Sequence, residues 1–353
     1  MRRLFWLGVL ICLTASAATG CQEPASLASV ELAIINGVPD TDPAHMAVVA
    51  LRSNRGFCSG TLVAPRVVLT AGHCVHGADP DRFVVYVGNR TREARQLEVS
   101  HVRLHPEYSG STIANDIALL ILGEAPPAGV VPIPYLPRAL GLTRADEGAR
   151  IQFVGFGRDE RGEFTEKLTV FGTIQWVCDT PERCPGLGVP VKENTLCFDN
   201  TQGGICHGDS GGPALIRRDG REYVAGISSY YYGVACIGTA CSTQVDAFEE
   251  YVQTVIDADL ENGQACQDGR RCKSGQCTDG VCCDLACAGR CETCALAGAE
   301  GRCTPVFDDA LEPGCGPEGG CGSPGLPAGQ GAAGLGLGLG LLGLALARAR
   351  RPA

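Results

Sequence analysis

The sequence predicts an all-β domain, a sandwich or barrel, closed by one helix and followed by a small disulfide-rich module. Three observations carry this prediction. From Ile34 onward, short apolar runs recur between Gly, Pro and charged turns, the spacing of all-β domains. No regular alternation of strands with long helical patterns occurs, which disfavours a parallel α/β sheet. After Gly263 large apolar residues become scarce while cysteines alternate with Gly, Asp and Arg, a composition that keeps a shape only through covalent staples.

Taken in order, residues 1–20 read as a signal peptide: Arg2 and Arg3 precede an apolar run over 4–13, and small residues follow. Ala18-Thr19-Gly20-Cys21 also resembles a bacterial lipoprotein cleavage box, with Cys21 as lipid acceptor. Residues 21–33 lack a period and read as a propeptide or linker. Strands are expected at 47–51, 60–62, 67–70, 83–87, 117–122, 151–154, 167–174, 214–216 and 223–228. A helix closes the domain, with Thr243 as cap, Asp246 as its acidic partner, and Val245, Phe248, Val252 and Ile256 as the apolar stripe. The main domain therefore spans 34–258 and the cysteine-rich module 264–312. Residues 313–331 form a Gly/Pro linker. Residues 332–353 form a hydrophobic tail ending in Arg348, Arg350 and Arg351, which fits a sorting signal or membrane anchor.

A net charge of -10 excludes a basic nucleic-acid surface. The 21 cysteines indicate disulfides and an oxidising compartment, in agreement with the leader. Cys291-Glu292-Thr293-Cys294 has the spacing of half a zinc site, but no histidine lies near it and export favours disulfides. Neither a metal nor a cofactor is expected.

The chemistry centres on Cys206-His207-Gly208-Asp209-Ser210-Gly211-Gly212-Pro213. Glycines around a serine permit a tight turn that exposes the hydroxyl and aims backbone N–H groups at one point. A serine needs a base and a group to orient that base. His73, in Leu69-Thr70-Ala71-Gly72-His73-Cys74, is the candidate base. Asp116, just before the apolar run 117–122, is the candidate orienting group, since a carboxylate there requires a buried partner. Taken alone, His73 is a structural histidine and Asp116 a turn cap. Gly208 to Gly212 also fits the Gly-x-Ser-x-Gly elbow of α/β-hydrolases. That fold needs a histidine after the serine, and none follows His207. The order here is His, Asp, Ser.

The three segments Thr70-Ala71-Gly72-His73-Cys74, Asp116-Ile117-Ala118-Leu119 and Gly208-Asp209-Ser210-Gly211-Gly212-Pro213 resemble the signatures of the trypsin/chymotrypsin family, over residues 34 to about 258. Gly72 stands where alanine is usual, a small-for-small exchange. The resemblance implies two antiparallel β-barrels with the site between them. It also implies attack by Ser210, proton transfer by His73, orientation by Asp116, and an oxyanion hole from the N–H groups of Gly208 and Ser210. Ile34-Ile35-Asn36-Gly37 resembles the new N-terminus of an activated zymogen, whose ammonium would pair with Asp209. Ala33 precedes it where Arg or Lys is usual, pointing to an activating protease that prefers small residues. The implied disulfides are Cys58–Cys74, Cys206–Cys236 and Cys184–Cys197, leaving Cys178 and Cys241 to pair with each other.

For specificity, the same resemblance puts Gly204 at the floor of the primary pocket, Ser229, Tyr230 and Tyr231 along its wall, and Ala240 opposite. Without an aspartate at 204, cleavage after basic residues is not expected. Tyr231 should narrow the pocket, which favours a small or medium apolar residue. His207 should influence the leaving-group side without acting as a second base. Gln276 to Asp284, with Cys287, Cys291 and Cys294, resembles cysteine-rich modules of exported myxobacterial proteins, and the tail resembles their sorting segments. The partners so implied are a polypeptide substrate, an activating protease, bacterial sorting machinery and a membrane attachment, for an exported protein that is secreted or held at the cell surface. The competing readings are a non-catalytic surface adhesion or binding protein on a protease fold, and an assembly regulator that binds through its cysteine-rich module.

Overall fold

The computed structural model describes residues 34, 36–157, 166–180, 192–201, 203–234, 236–308 and 315. The expected leader at 1–20, the stretch 21–33 with Cys21, Cys184, the linker apart from Cys315, and the 332–353 tail lie outside these residues. Among the described residues no helix is long and apolar enough to cross a membrane.

The chain opens with β1 (Val38–Pro39), followed by β2 (Val48–Ser53), β3 (Gly56–Ala64), β4 (Val67–Thr70), the short helix α1 (Gly72–Val75), β5 (Val84–Val87), β6 (Arg95–Leu104) and β7 (Ala118–Leu122). Strands β2 to β7 close into an antiparallel barrel in the order β2-β3-β4-β7-β6-β5. β4 and β7 are buried throughout, which is why their apolar runs were legible. β6 buries Leu97 and Val99 but turns Gln96, Glu98 and Ser100 outward. Its period of two, with polar residues on one face, hid it from a search for continuous apolar runs.

A second group follows: β8 (Arg150–Gly155), β9 (Leu168–Cys178), β10 (Thr195–Asp199), β11 (Pro213–Arg218), β12 (Arg221–Val234) and β13 (Ile237–Gln244). These pair in the order β9-β10-β13-β12-β11-β8, and β8 returns to β9, so this sheet also closes; β1 is added outside β9. β13 was not anticipated because Gly, Thr, Ala, Cys and Ser fill most of it. The apolar core of the first barrel runs on into Val154, Leu215, Val224 and Ile227, and the second barrel also has a core of its own, where the Phe153 and Phe198 rings meet at 4.2 Å between centroids. The structure is thus two closed antiparallel β-barrels with a short C-terminal helix.

That helix, α2 (Glu249–Ile256), starts later than expected, after a single 3-10 turn at Asp246–Phe248. Thr243 does not cap it: it belongs to β13, where its hydroxyl donates to the Asp116 carbonyl at 3.1 Å. Val245, Phe248 and Val252 are buried as expected, and Val255 joins them while Ile256 is only half-buried.

Cys58 bonds Cys74, and Cys206 bonds Cys236. Cys197 bonds Cys241 and not Cys184. The reason is register: Cys197 and Cys241 lie directly opposite on β10 and β13, with Cα atoms 4.1 Å apart. Cys178 is also disulfide-bonded, and the pairing with Cys241 deduced by elimination does not form.

By contacts the chain falls into two units, residues 1–288 with 292–304, and residues 289–291 with 305–353. In the first, disulfides join Cys266 to Cys277, Cys272 to Cys282, Cys283 to Cys294 and Cys287 to Cys303. The buried side chains after 264 in this unit are those of cysteines: 272, 282, 283, 287 and 294. The cystines act as the core that the composition could not provide. In the second unit Cys291 bonds Cys315, and the Val306 N–H donates to the Cys291 carbonyl at 2.8 Å.

Candidate active site

β4 is fully buried and ends in α1, so His73 leaves the first barrel in a fixed direction, with Cys74 tied beside it to Cys58. Asp116 immediately precedes β7, itself buried throughout. Asp116 is 1% exposed and spends both carboxylate oxygens on His73: Oδ1 accepts from the backbone N–H at 2.7 Å and Oδ2 lies 2.8 Å from Nδ1. With the carboxylate as acceptor, Nδ1 carries the proton and Nε2 presents a lone pair. The His73 side chain is 27% exposed and faces a cleft that Ser210 also lines.

Asp116 has a further partner, the hydroxyl of Ser229. The register between β12 and β13 shifts between Ser228 and Tyr230, leaving Ser229 unpaired in the ladder. Such a bulge re-aims a side chain, and here it aims one at the buried carboxylate.

The serine loop is held from below by Ser59, which is fully buried on β3. Its backbone N–H donates to the Ser210 carbonyl at 2.7 Å, and its hydroxyl donates to the Gly208 carbonyl at 2.9 Å. The same hydroxyl accepts from Phe156 N, and the Ser59 carbonyl accepts from Thr70 Oγ1. Nothing in Cys58-Ser59-Gly60 signalled this role, because the serine-loop carbonyl its hydroxyl holds lies 149 residues away. Gly208 and Gly211 take φ of 93° and 81°. A Cβ at 211 would also run into Thr70 and the Ser59 carbonyl. The glycines around Ser210 are thus required by both conformation and space.

Asp209 points away from the cleft into the interior, 1% exposed. Its oxygens accept from the N–H groups of Gly157 at 2.8 Å and Cys206 at 3.0 Å. Burial pushes this carboxyl up to about 7, with the two backbone donors opposing. Among the described residues no side-chain cation pairs with it. Ile34 is 3% exposed.

The trypsin family profile matches residues 34–252. The chain belongs to the trypsin family. Coagulation factor XII of Sus scrofa is 33% identical over 206 residues, covering 54% of this chain and 33% of that protein. Serine protease Hayan of Drosophila melanogaster is 29% identical over 238 residues, 60% of this chain and 37% of its own. Mannan-binding lectin serine protease 1 of Rattus norvegicus is 29% identical over 224 residues, 56% and 31%. The chain thus spans about a third of the length of these relatives.

In this trypsin-family chain the pocket beside His73 and Ser210 is lined by Ser229, Tyr230 and Tyr231, together with Ile113, Ile205, Cys206 and His207. Gly204, expected at its floor, and Ala240, expected on the opposite wall, are not among its lining residues. Ala240 packs in the core of the second barrel with Ile205. Gly204 is buried against Asn200, whose Oδ1 occupies the space a Cβ at 204 would need. Asn200 is itself fully buried and donates from Nδ2 to the Ile205 carbonyl at 2.8 Å. Ile205, next to Gly204 in the chain, is the one that lines the pocket. Neither Ile205 nor Ile113 was singled out, since an isolated isoleucine reads as core. Ile113 has φ of 56°, a conformation β-branched residues rarely adopt. Tyr231 reaches His207, with its hydroxyl 3.2 Å from Nε2, so the two side chains close one side of the pocket together.

Gly72 has a neighbour that makes its identity matter. A Cβ there would stand 2.8 Å from Tyr108 Cδ2 and 3.1 Å from Leu104 Cδ1. The exchange for alanine is therefore not neutral in this chain, because the Tyr108 ring fills the space.

Proposed function

We propose that the protein is an exported serine endopeptidase, made as a precursor and activated by cleavage before Ile34. The observation that carries this reading is the His73–Asp116 pair, set with its free ring nitrogen in the same cleft as Ser210. Ser210 Oγ attacks the scissile carbonyl, forming a tetrahedral intermediate as His73 Nε2 takes the hydroxyl proton. His73 returns that proton to the leaving amine, and the acyl-enzyme is hydrolysed by water through the same steps. Asp116 and Ser229 hold the ring and stabilise the imidazolium. The N–H groups of Gly208 and Ser210 receive the oxyanion.

Activation rests on Asp209. A buried carboxylate without a cation is costly, and the ammonium released at Ile34 supplies one. The burial of Ile34 supports that docking. The pocket favours small or medium apolar residues before the scissile bond, since Ile205 and Tyr231 line it and, among the described residues, no carboxylate does. The many disulfides support an extracellular working place. The cysteine-rich module and the 332–353 tail would serve transfer to the bacterial surface through sorting machinery.

The test is labelling by a fluorophosphonate, on the full chain and on the chain processed to begin at Ile34, each beside Ser210→Ala. Labelling confined to the processed form and abolished by the alanine is the expected result. Equal labelling of both forms would remove the activation step. Folded protein that never labels would replace the enzyme with a binding protein.

A further inference from the structure

His73, His207 and Ser210 line two pockets, one on either side of the nucleophile. On the reading above, the pocket with Ser229, Tyr230 and Tyr231 takes the acyl part of the substrate. The other must then take the leaving part. Leu51, Phe57 and Phe83 line it with apolar surface, and the Cys58–Cys74 disulfide fixes its wall. Apart from the two histidines, Arg55 is the one charged group among its lining residues.

Arg55 sits in the tight turn between β2 and β3, where its N–H donates to Ser53 Oγ at 3.0 Å. It is exposed, and among the described residues no carboxylate forms an ion pair with it. Its charge is felt by the phenol of Tyr108, where it works against the raising effect of burial. A guanidinium with unused donors on the rim of an apolar groove matches a carboxylate carried on a short aliphatic stem. The protein as a whole carries -10, so its general field repels acidic peptides and the preference must be local. An extended peptide advances about 3.3 Å per residue, and Arg55 lines the same pocket as His73 and Ser210, within reach of the first few residues after the scissile bond.

We propose that Arg55 selects substrates with a carboxylate two or three residues after the scissile bond. The inference rests on the protease reading and extends it to the leaving side. A carboxylate could come from a Glu or Asp side chain or from the substrate's own C-terminus, and the assay separates these.

Internally quenched peptides with Ala before the scissile bond would carry Glu, Gln or Lys two residues after it, each in a longer chain with an amidated end. A further peptide would end at that second residue as a free acid, beside its amide. The full chain processed to begin at Ile34 and its Arg55→Glu variant would be compared, with rates normalised to fluorophosphonate-reactive sites. The expected result is kcat/KM about threefold to tenfold higher for Glu than for Gln, in the range of a partly exposed ion pair, with Lys lower still. Arg55→Glu should invert the order, which a merely structural role would not do. Raised salt should narrow the preference. Preference for the free acid with indifference to internal Glu would assign the C-terminal carboxylate as the ligand. Equal rates for all peptides in both proteins would overturn the proposal while leaving the protease reading intact. No cleavage and no fluorophosphonate labelling would overturn both.

Discussion

His73 and His45 each meet an aspartate through Nδ1, Asp116 at 2.8 Å and Asp40 at 2.6 Å, and they differ in what happens at the other nitrogen. His73 keeps Nε2 open to a cleft. His45 spends Nε2 on Glu222 at 3.1 Å, and its side chain is only 3% exposed. Burial opposes charging of His45, but the two carboxylates outweigh it and raise the imidazole to about 9. Lys167, fully buried beside this group, donates to the His45 carbonyl at 2.6 Å and to Asn89 Oδ1 at 3.2 Å. The cluster therefore ties the segment after Ile34 to both barrels. On the proposed mechanism the same pair of side chains serves as a base in one place, while in the other it is a rivet. A histidine can move a proton only where one ring nitrogen has no fixed partner.

The sharpest way to break the comparison is to make the same substitution in each pair. Asp116→Asn should lower kcat by about four orders of magnitude with little loss of fold, because the amide favours the wrong histidine tautomer. Asp40→Asn should leave the chemistry in place and lower the melting temperature. Steady-state kinetics beside thermal unfolding would show whether the two effects separate; equal losses of kcat would erase the distinction drawn here.

Next in size is His45→Gln, which removes the imidazole hydrogen-bonded to both carboxylates and leaves Asp40 only the field of Lys167 and Glu222 only Arg217 at 3.7 Å. Breaking such a buried pair costs on the order of 3 kcal/mol, readable by urea unfolding. The wild-type protein also carries a pH signature. A histidine raised to about 9 when folded contributes stability that is fully present below its unfolded value of 6.5 and is lost as pH rises through 9. Lys167, depressed to about 8 chiefly by burial, acts in the opposite direction above that pH. The Asp209 carboxyl, raised to about 7, also loses stability as pH rises to that value, so the clean window runs from about 7 to 8. Stability should fall across it in the wild type and stay flatter in His45→Gln.

The smallest expected effect is at Gly72. Gly72→Ala must displace the Tyr108 ring, a local overpacking that costs about 1 kcal/mol or slightly more. Its position next to His73 should add a modest loss of kcat. If neither the melting temperature nor kcat moves, Tyr108 yields freely and the base is held by Asp116 alone.

What could be read in the sequence was local. His73, Asp116 and Ser210 each lie in a short segment whose pattern speaks for itself, and β4 and β7 announce themselves because burial on both faces gives near-continuous apolar runs. The switch from apolar runs to alternating cysteines after Gly263 likewise marked where packing gives way to staples.

What the sequence could not give was every choice that depends on closing a barrel. Ser59 meets Gly208 across 149 residues, and His45 meets Glu222 across 177. Cys197 takes Cys241 because strand register puts them face to face, a fact absent from cysteine order. Ile205 lines the pocket while Gly204 is covered by Asn200, a matter of which way adjacent residues turn. The sequence determined by itself which groups are available for chemistry, since reactivity belongs to the residue and its near neighbours. Only the tertiary structure decided which of them keep a free face, because exposure and pairing are set by residues far along the chain.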